Sequence, residues 1–140
     1  MKLQFRKIHS DAIIPQYQTE GAVAFDFATY EDIQLRKGLN FIKTGLSINI
    51  PEGYVLVLAP RSSTYKKQGL RMANEIGIVD QDYNGPGDDI MFAYIADEDI
   101  FIEKGTRIGQ GMILPVMRCD IQEGDWNSSD RGGFGSTGSK

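Results

Sequence analysis

A chain of 140 residues, 41% of them hydrophobic, can bury one sizeable core and removes roughly two-thirds of its unfolded surface from water, so a single domain is expected. A formal charge of −4 argues against a protein that coats DNA or RNA, which must neutralise many phosphates at once, but leaves open a small anionic ligand held by a local cluster of donors. With no membrane-length apolar run, no basic-then-apolar N-terminus, and a single cysteine (Cys119) that reads as a small packing residue in a reducing compartment, a cytoplasmic chain without nucleic-acid or membrane partners is expected.

His9, near the N-terminus, carries no pattern and reads as incidental. Residues 39–50 read as one long strand broken at Gly45. The Pro51-Glu52-Gly53 turn then opens a β-rich run, GYVLVLA, over 53–59. Only SSTYKKQG reads as helix: Ser62 or Ser63 can cap it, Lys66 and Lys67 fall in its last turn, and Gly69 can close it. Apolar runs at 91–95 and 107–117 follow turn residues, and no internal repeat is visible. Short strands at close intervals predict an all-β sandwich, jelly roll or barrel with one short helix.

From Ser128 the chain reads SSDRGGFGSTGSK, with no aliphatic side chain. Such a segment cannot offset the entropy of ordering by burying itself, so a core over 1–127 and a mobile tail over 128–140 are expected. The tail is either an ordinary frayed end or a phosphate lid that folds on binding, since in its RGGFGSTG stretch one arginine, one aromatic and two hydroxyls are spaced by glycines that let backbone N–H groups turn toward an anion.

Other residues carry two readings each. Asp80 closes the apolar run Ile76-Gly77-Ile78-Val79, either as a turn aspartate bonded to its own backbone or as a carboxylate poised at a strand end. Tyr83 is structural or a wall of a site. Ser62 and Ser63 can cap the helix, meet an anion with hydroxyls and N–H groups, or do both, with Arg61 adding charge.

The stretches AVAFDFA, PRSSTYKKQG, NEIGIVDQDYNG, GTRIGQ and RGGFGSTG stand in the order of five motifs and span about residues 21–138. Together they resemble the trimeric dUTPase family, although any one alone would be weak evidence. The resemblance implies a jelly-roll subunit, a homotrimer whose sites draw on more than one copy, and Mg2+-dependent hydrolysis of dUTP to dUMP and pyrophosphate. That reaction keeps uracil out of DNA and supplies dUMP for dTMP synthesis. Asp80 is implied as the general base that orients the attacking water, and Tyr83 as the ring beneath deoxyribose that excludes a ribose 2′-hydroxyl. Asn74 and the backbone of Gly77, Ile78 and Val79 are implied to read the uracil edge. A cytosine there would leave buried polar groups unpaired, at roughly 1–3 kcal/mol each. Arg61, Ser62, Ser63, Lys67 and Gln110 are implied to hold phosphates, and Asp26 to hold Mg2+ through its water shell. The tail is implied to close over the nucleotide, with Arg131 on the terminal phosphate, Phe134 on the base, and Gly135, Ser136 and Thr137 around the phosphates.

The sequence departs from the family pattern in four places. Ala24 stands where a glycine is usual, Asn84 stands where an arginine is usual, and PGDD after Gly85 lengthens a connection. Arg131 and Phe134 are separated by two residues where four are common, although the tail is similar to that of Gram-positive and phage members. If Phe134 cannot reach the base, Phe92 is the alternative lid. Two further readings stay open. The related dCTP deaminases share the fold but need a glutamate in the strand after the third motif, where IMFAYIA has none. Some phage members also bind a regulatory protein partner.

Overall fold

The computed structural model describes residues 1–140. In chain order its elements are β1 (Gln4–Lys7), β2 (Phe25–Ala28), β3 (Ile33–Leu35), β4 (Gly38–Lys43), β5 (Leu46–Asn49) and β6 (Tyr54–Ala59), then helix α1 (Thr64–Gln68), then β7 (Leu70–Met72), β8 (Gly77–Val79), β9 (Met91–Ala96), β10 (Ile100–Ile102) and β11 (Arg107–Pro115). Gly45 divides the expected 39–50 strand because its φ of +71° suits only glycine at low cost, and β4 and β5 part there. The short strands β1, β3, β7 and β10 lack a long alternating pattern and become legible only through their partners.

All strand pairs are antiparallel. A four-stranded sheet runs β2-β11-β6-β8, a three-stranded sheet runs β4-β9-β7, and β1-β5 and β10-β3 form ribbons. This is the expected all-β jelly roll with one short helix. Period-two alternation puts Leu56 and Leu58 of β6 inward, and Ile42, Phe92 and Tyr94 of the second sheet toward them. Phe27 meets Phe92 edge-on at 5.6 Å, joining the sheets, and Phe92 stacks on Tyr94 at 5.9 Å. Gly109 makes this packing possible, since a Cβ there would collide with the Phe92 ring.

The helix departs from expectation at its start. Ser63 is the N-cap residue but its side chain makes no capping bond; instead Thr64 Oγ1 accepts the Arg61 N–H at 2.9 Å. Both serine hydroxyls are thereby left out of the cap. Gly69 closes the helix as expected, with φ +63° and its N–H on the Tyr65 carbonyl at 2.8 Å.

Beyond β11, Val116 donates its N–H to the Gly53 carbonyl at 2.8 Å, and every residue from Met117 onward is exposed. That stretch includes Met117, Cys119, Ile121 and Trp126, which lie on the core side of the expected division at residue 127. No helix is long and apolar enough to cross a membrane.

Candidate active site in two halves

The first half grows out of the edge of the four-stranded sheet. Strand β8 pairs with β6 on one side only, so its outer edge presents backbone N–H and C=O groups with no strand partner. Before it, the chain reverses at Asn74-Glu75-Ile76, where Glu75 takes a φ of +62° and the Ile76 N–H meets the Asn74 carbonyl at 2.6 Å. Gly77 is required for close approach, because a Cβ would lie 2.9 Å from that of Leu58.

Beside this edge lies a cavity of about 270 Å³ that gathers Asn74, Gly77, Ile78, Val79, Asp80 and Tyr83, six residues expected to share a site. Its remaining wall is mostly apolar, from Phe41, Leu58, Ile90, Met91 and Ala93, with Asp89 the one further carboxylate. Asp80 is exposed at the end of β8 and enters none of the chain's ion pairs. The Asp80 carbonyl accepts the Tyr83 N–H at 3.2 Å, which folds the tyrosine back toward the cavity. The Tyr83 hydroxyl donates to the Asp89 carbonyl at 2.9 Å. Burial above all, then the charges of Asp88 and Asp89, push the Tyr83 phenol above its ordinary pKa, so it stays a donor at neutral pH.

The second half forms where β2, β11 and β6 end together. Asp26 lies opposite Gln110, and Gln110 opposite Ala59, so the register places these residues beside the Pro60-Arg61-Ser62 turn. Gln110 Nε2 donates to the Pro60 carbonyl at 3.1 Å. Asp26 Oδ2 pairs with Arg61 Nε at 3.2 Å and with Arg107 Nη1 at 3.3 Å. Two guanidiniums on one carboxylate leave a net positive cluster suited to an anion. Next to it, a hollow of about 290 Å³ is lined by Arg61, Ser62, Tyr65, Arg71 and Glu75 among others. Arg107 joins this cluster, while Arg71 lines the hollow with its guanidinium paired to Asp97 at 2.9 Å; neither was singled out from the sequence. Arg107 could have been found inside GTRIGQ; Arg71 sits in a strand of three residues with no motif to mark it. Ser62 and Lys67 are exposed and Ser63 is half-buried beside this turn.

No group of three or more His, Cys, Asp or Glu side chains could cage a metal ion. Asp26 is the carboxylate of the guanidinium cluster, and both of its ion-pair partners are arginines.

The halves stay apart within one chain. Leu56 faces Val79, so Asp80 lies opposite Val55, six residues along β6 from Arg61, or roughly 20 Å of extended strand. The tail joins neither half: Arg131, Phe134, Gly135, Ser136 and Thr137 are exposed, shaped by turns in which Ser136 N–H meets the Gly133 carbonyl at 3.1 Å and Gly138 N–H the Gly135 carbonyl at 2.9 Å. Phe92 is withdrawn as an alternative lid, because it is fully buried between the sheets and stacks on Tyr94 rather than facing a ligand.

The apolar cavity beside the β8 edge and the separate guanidinium cluster belong to an all-β protein built to take an anionic ligand. The family model for dUTPase matches residues 10–138, and the chain belongs to the dUTPase family. It is 36% identical to the deoxyuridine 5'-triphosphate nucleotidohydrolase of Hydrogenobaculum sp. over 145 residues, covering all of both chains. It is 37% identical to that of Nautilia profundicola over 142 residues, covering 99% of each. Among solved structures it is similar to the Staphylococcus bacteriophage 80alpha dUTPase with dUPNHPP, at 26% identity and a TM-score of 0.83, covering 98% of both chains.

Proposed function

We propose that this chain hydrolyses dUTP to dUMP and pyrophosphate with Mg2+, in a homotrimer whose sites each join halves from different copies. The observation that carries the reading is the free Asp80 carboxylate at the mouth of the edge-strand cavity. The outer edge of β8, with Asn74, reads the uracil edge, and Tyr83 lies beneath the deoxyribose. Asp80 takes the proton of a water whose oxygen attacks the α phosphorus. The bond from that phosphorus to the bridging oxygen breaks, and pyrophosphate leaves. A positioned base of this kind is worth about 10²–10⁴ in rate.

Arg61, Ser62, Ser63, Lys67 and Gln110 grip the phosphates, and the hydroxyls released from capping duty are available for this. Mg2+, when bound, would supply neutralisation of charge on the phosphates, and Asp26 would hold it through its water shell. Arg131, Phe134, Gly135, Ser136 and Thr137 close over the nucleotide and exclude water. One phosphate chain must touch both Asp80 and the Arg61 cluster, and the roughly 20 Å between them along β6 supports assembly from two copies, with the tail arriving from a further one.

The test is a panel of dUTP, dCTP, dTTP and UTP with Mg2+, following pyrophosphate and ammonia. Pyrophosphate from dUTP alone is expected. Ammonia from dCTP would replace this reading with that of a deaminase.

A further inference from the structure

The lengthened PGDD connection is a framework for the cavity wall. Asp88 Oδ2 accepts the Gly85 N–H at 2.7 Å and closes the loop on itself. Asp89 reaches outward in two directions. Its backbone carbonyl accepts the Tyr83 hydroxyl at 2.9 Å. Its carboxylate Oδ1 accepts the Gly45 N–H at 3.0 Å, the Thr44 N–H at 3.2 Å and the Thr44 hydroxyl at 3.4 Å. Backbone bonds from Thr44 N–H to the Ile90 carbonyl (2.9 Å) and from Ile90 N–H to the Leu46 carbonyl (2.8 Å) tie the same junction.

The far side of that junction is rigid. Thr44 is fully buried, and Gly45 packs so closely against Ala12 and Tyr30 that a Cβ would come within 3.0 Å of each. The tyrosine ring is therefore braced, through one residue, against the turn between β4 and β5. Asp89 also lines the cavity itself.

We propose that Asp89 is a positioning residue for sugar selection: it fixes the Tyr83 ring against the β4–β5 turn, so that the ring cannot retreat from a ribose 2′-hydroxyl. The inference rests on the reading of Tyr83 as the deoxyribose-facing wall. Selection against a hydroxyl is only as sharp as the wall is stiff, because a ring that can swing away relieves the clash at little cost.

The experiment measures kcat/KM for dUTP and for UTP in the full-length protein carrying Asp89→Ala, Asp89→Asn or Tyr83→Phe. Asp89→Ala removes the acceptor for the Thr44 and Gly45 N–H groups, and the dUTP/UTP ratio is expected to fall by about five- to tenfold, the weight of roughly one hydrogen bond, mostly through a rise in UTP turnover. Asp89→Asn keeps an acceptor oxygen and is expected to restore most of the ratio. Tyr83→Phe removes only the hydroxyl that the Asp89 carbonyl receives and is expected to lower the ratio in the same direction; if Asp89→Ala does not fold, Asp89→Ser, which shortens the side chain away from Thr44 and Gly45, takes its place. An unchanged ratio in a folded Asp89→Ala protein, or in Tyr83→Phe, would overturn the proposal. A wild-type protein that makes no pyrophosphate from dUTP would instead remove the functional reading beneath it.

Discussion

The edge-strand cavity and the C-terminal segment make opposite use of their residues. Around the cavity, Gly77 lies against Leu58, Tyr83 is braced through Asp89, and the apolar wall continues into the core, so its shape is set before any ligand arrives. After Val116 the chain makes no strand, and Met117, Ile121, Trp126 and Phe134 all face solvent. A preformed wall can select, but it must leave an opening; a segment free of the core can close that opening, at the entropic cost of becoming ordered. The proposed function therefore assigns selection and closure to different stretches of chain, and variants should separate them.

The largest effect is expected at the cavity mouth. Asp80→Asn should lower kcat by about 10²–10⁴ while dUTP binding and the melting temperature stay near native values, because an exposed side chain outside every ion pair is lost from the chemistry alone. Near-native turnover would take Asp80 out of the mechanism. Truncation after Asp130 comes next: thermal unfolding should be unchanged, and kcat/KM should fall by roughly 10² or more, since Arg131, Ser136 and Thr137 no longer hold phosphates in attack geometry. A coupled loss of stability and activity would mean that the segment is part of the core.

Two phenylalanines sharpen the contrast. Phe134→Ala should weaken dUTP binding by about 1–3 kcal/mol of stacking with no change in melting temperature. Phe92→Ala should do the reverse, destabilising the fold by roughly 3–5 kcal/mol through a cavity between the sheets. A silent Phe134→Ala would remove the aromatic lid from this protein. The smallest effect concerns Ser63. With no capping bond to lose, Ser63→Ala should shift stability by less than the ~1 kcal/mol of an ordinary N-cap while raising KM, as read by calorimetry and steady-state kinetics.

What was legible in the sequence was whatever local chemistry dictates. Gly45, Gly53 and Gly69 marked turns that the backbone takes, and the β-rich run at 53–59 and the apolar run at 91–95 became β6 and β9. Contiguous motif residues fell together, because Asn74 through Tyr83 surround one edge strand. Long-range placement was not legible. The pairing of Asp26 with Arg61 and Arg107 depends on how β2, β11 and β6 line up, and the burial of Phe92 depends on Gly109 two strands away. Nor could sequence show that Asp80 and Arg61 lie at opposite ends of β6, since that follows from the β6–β8 register.

Mixing two inactive proteins tests that separation. Asp80→Asn and Arg61→Ala subunits, each crippled alone, should recover activity when unfolded together and reassembled, because some sites then take Asp80 from one chain and Arg61 from another. Random mixing of equal amounts should restore about a quarter of native turnover. A mixture no more active than its separate parts would contradict the account, placing both residues in a site built by a single chain.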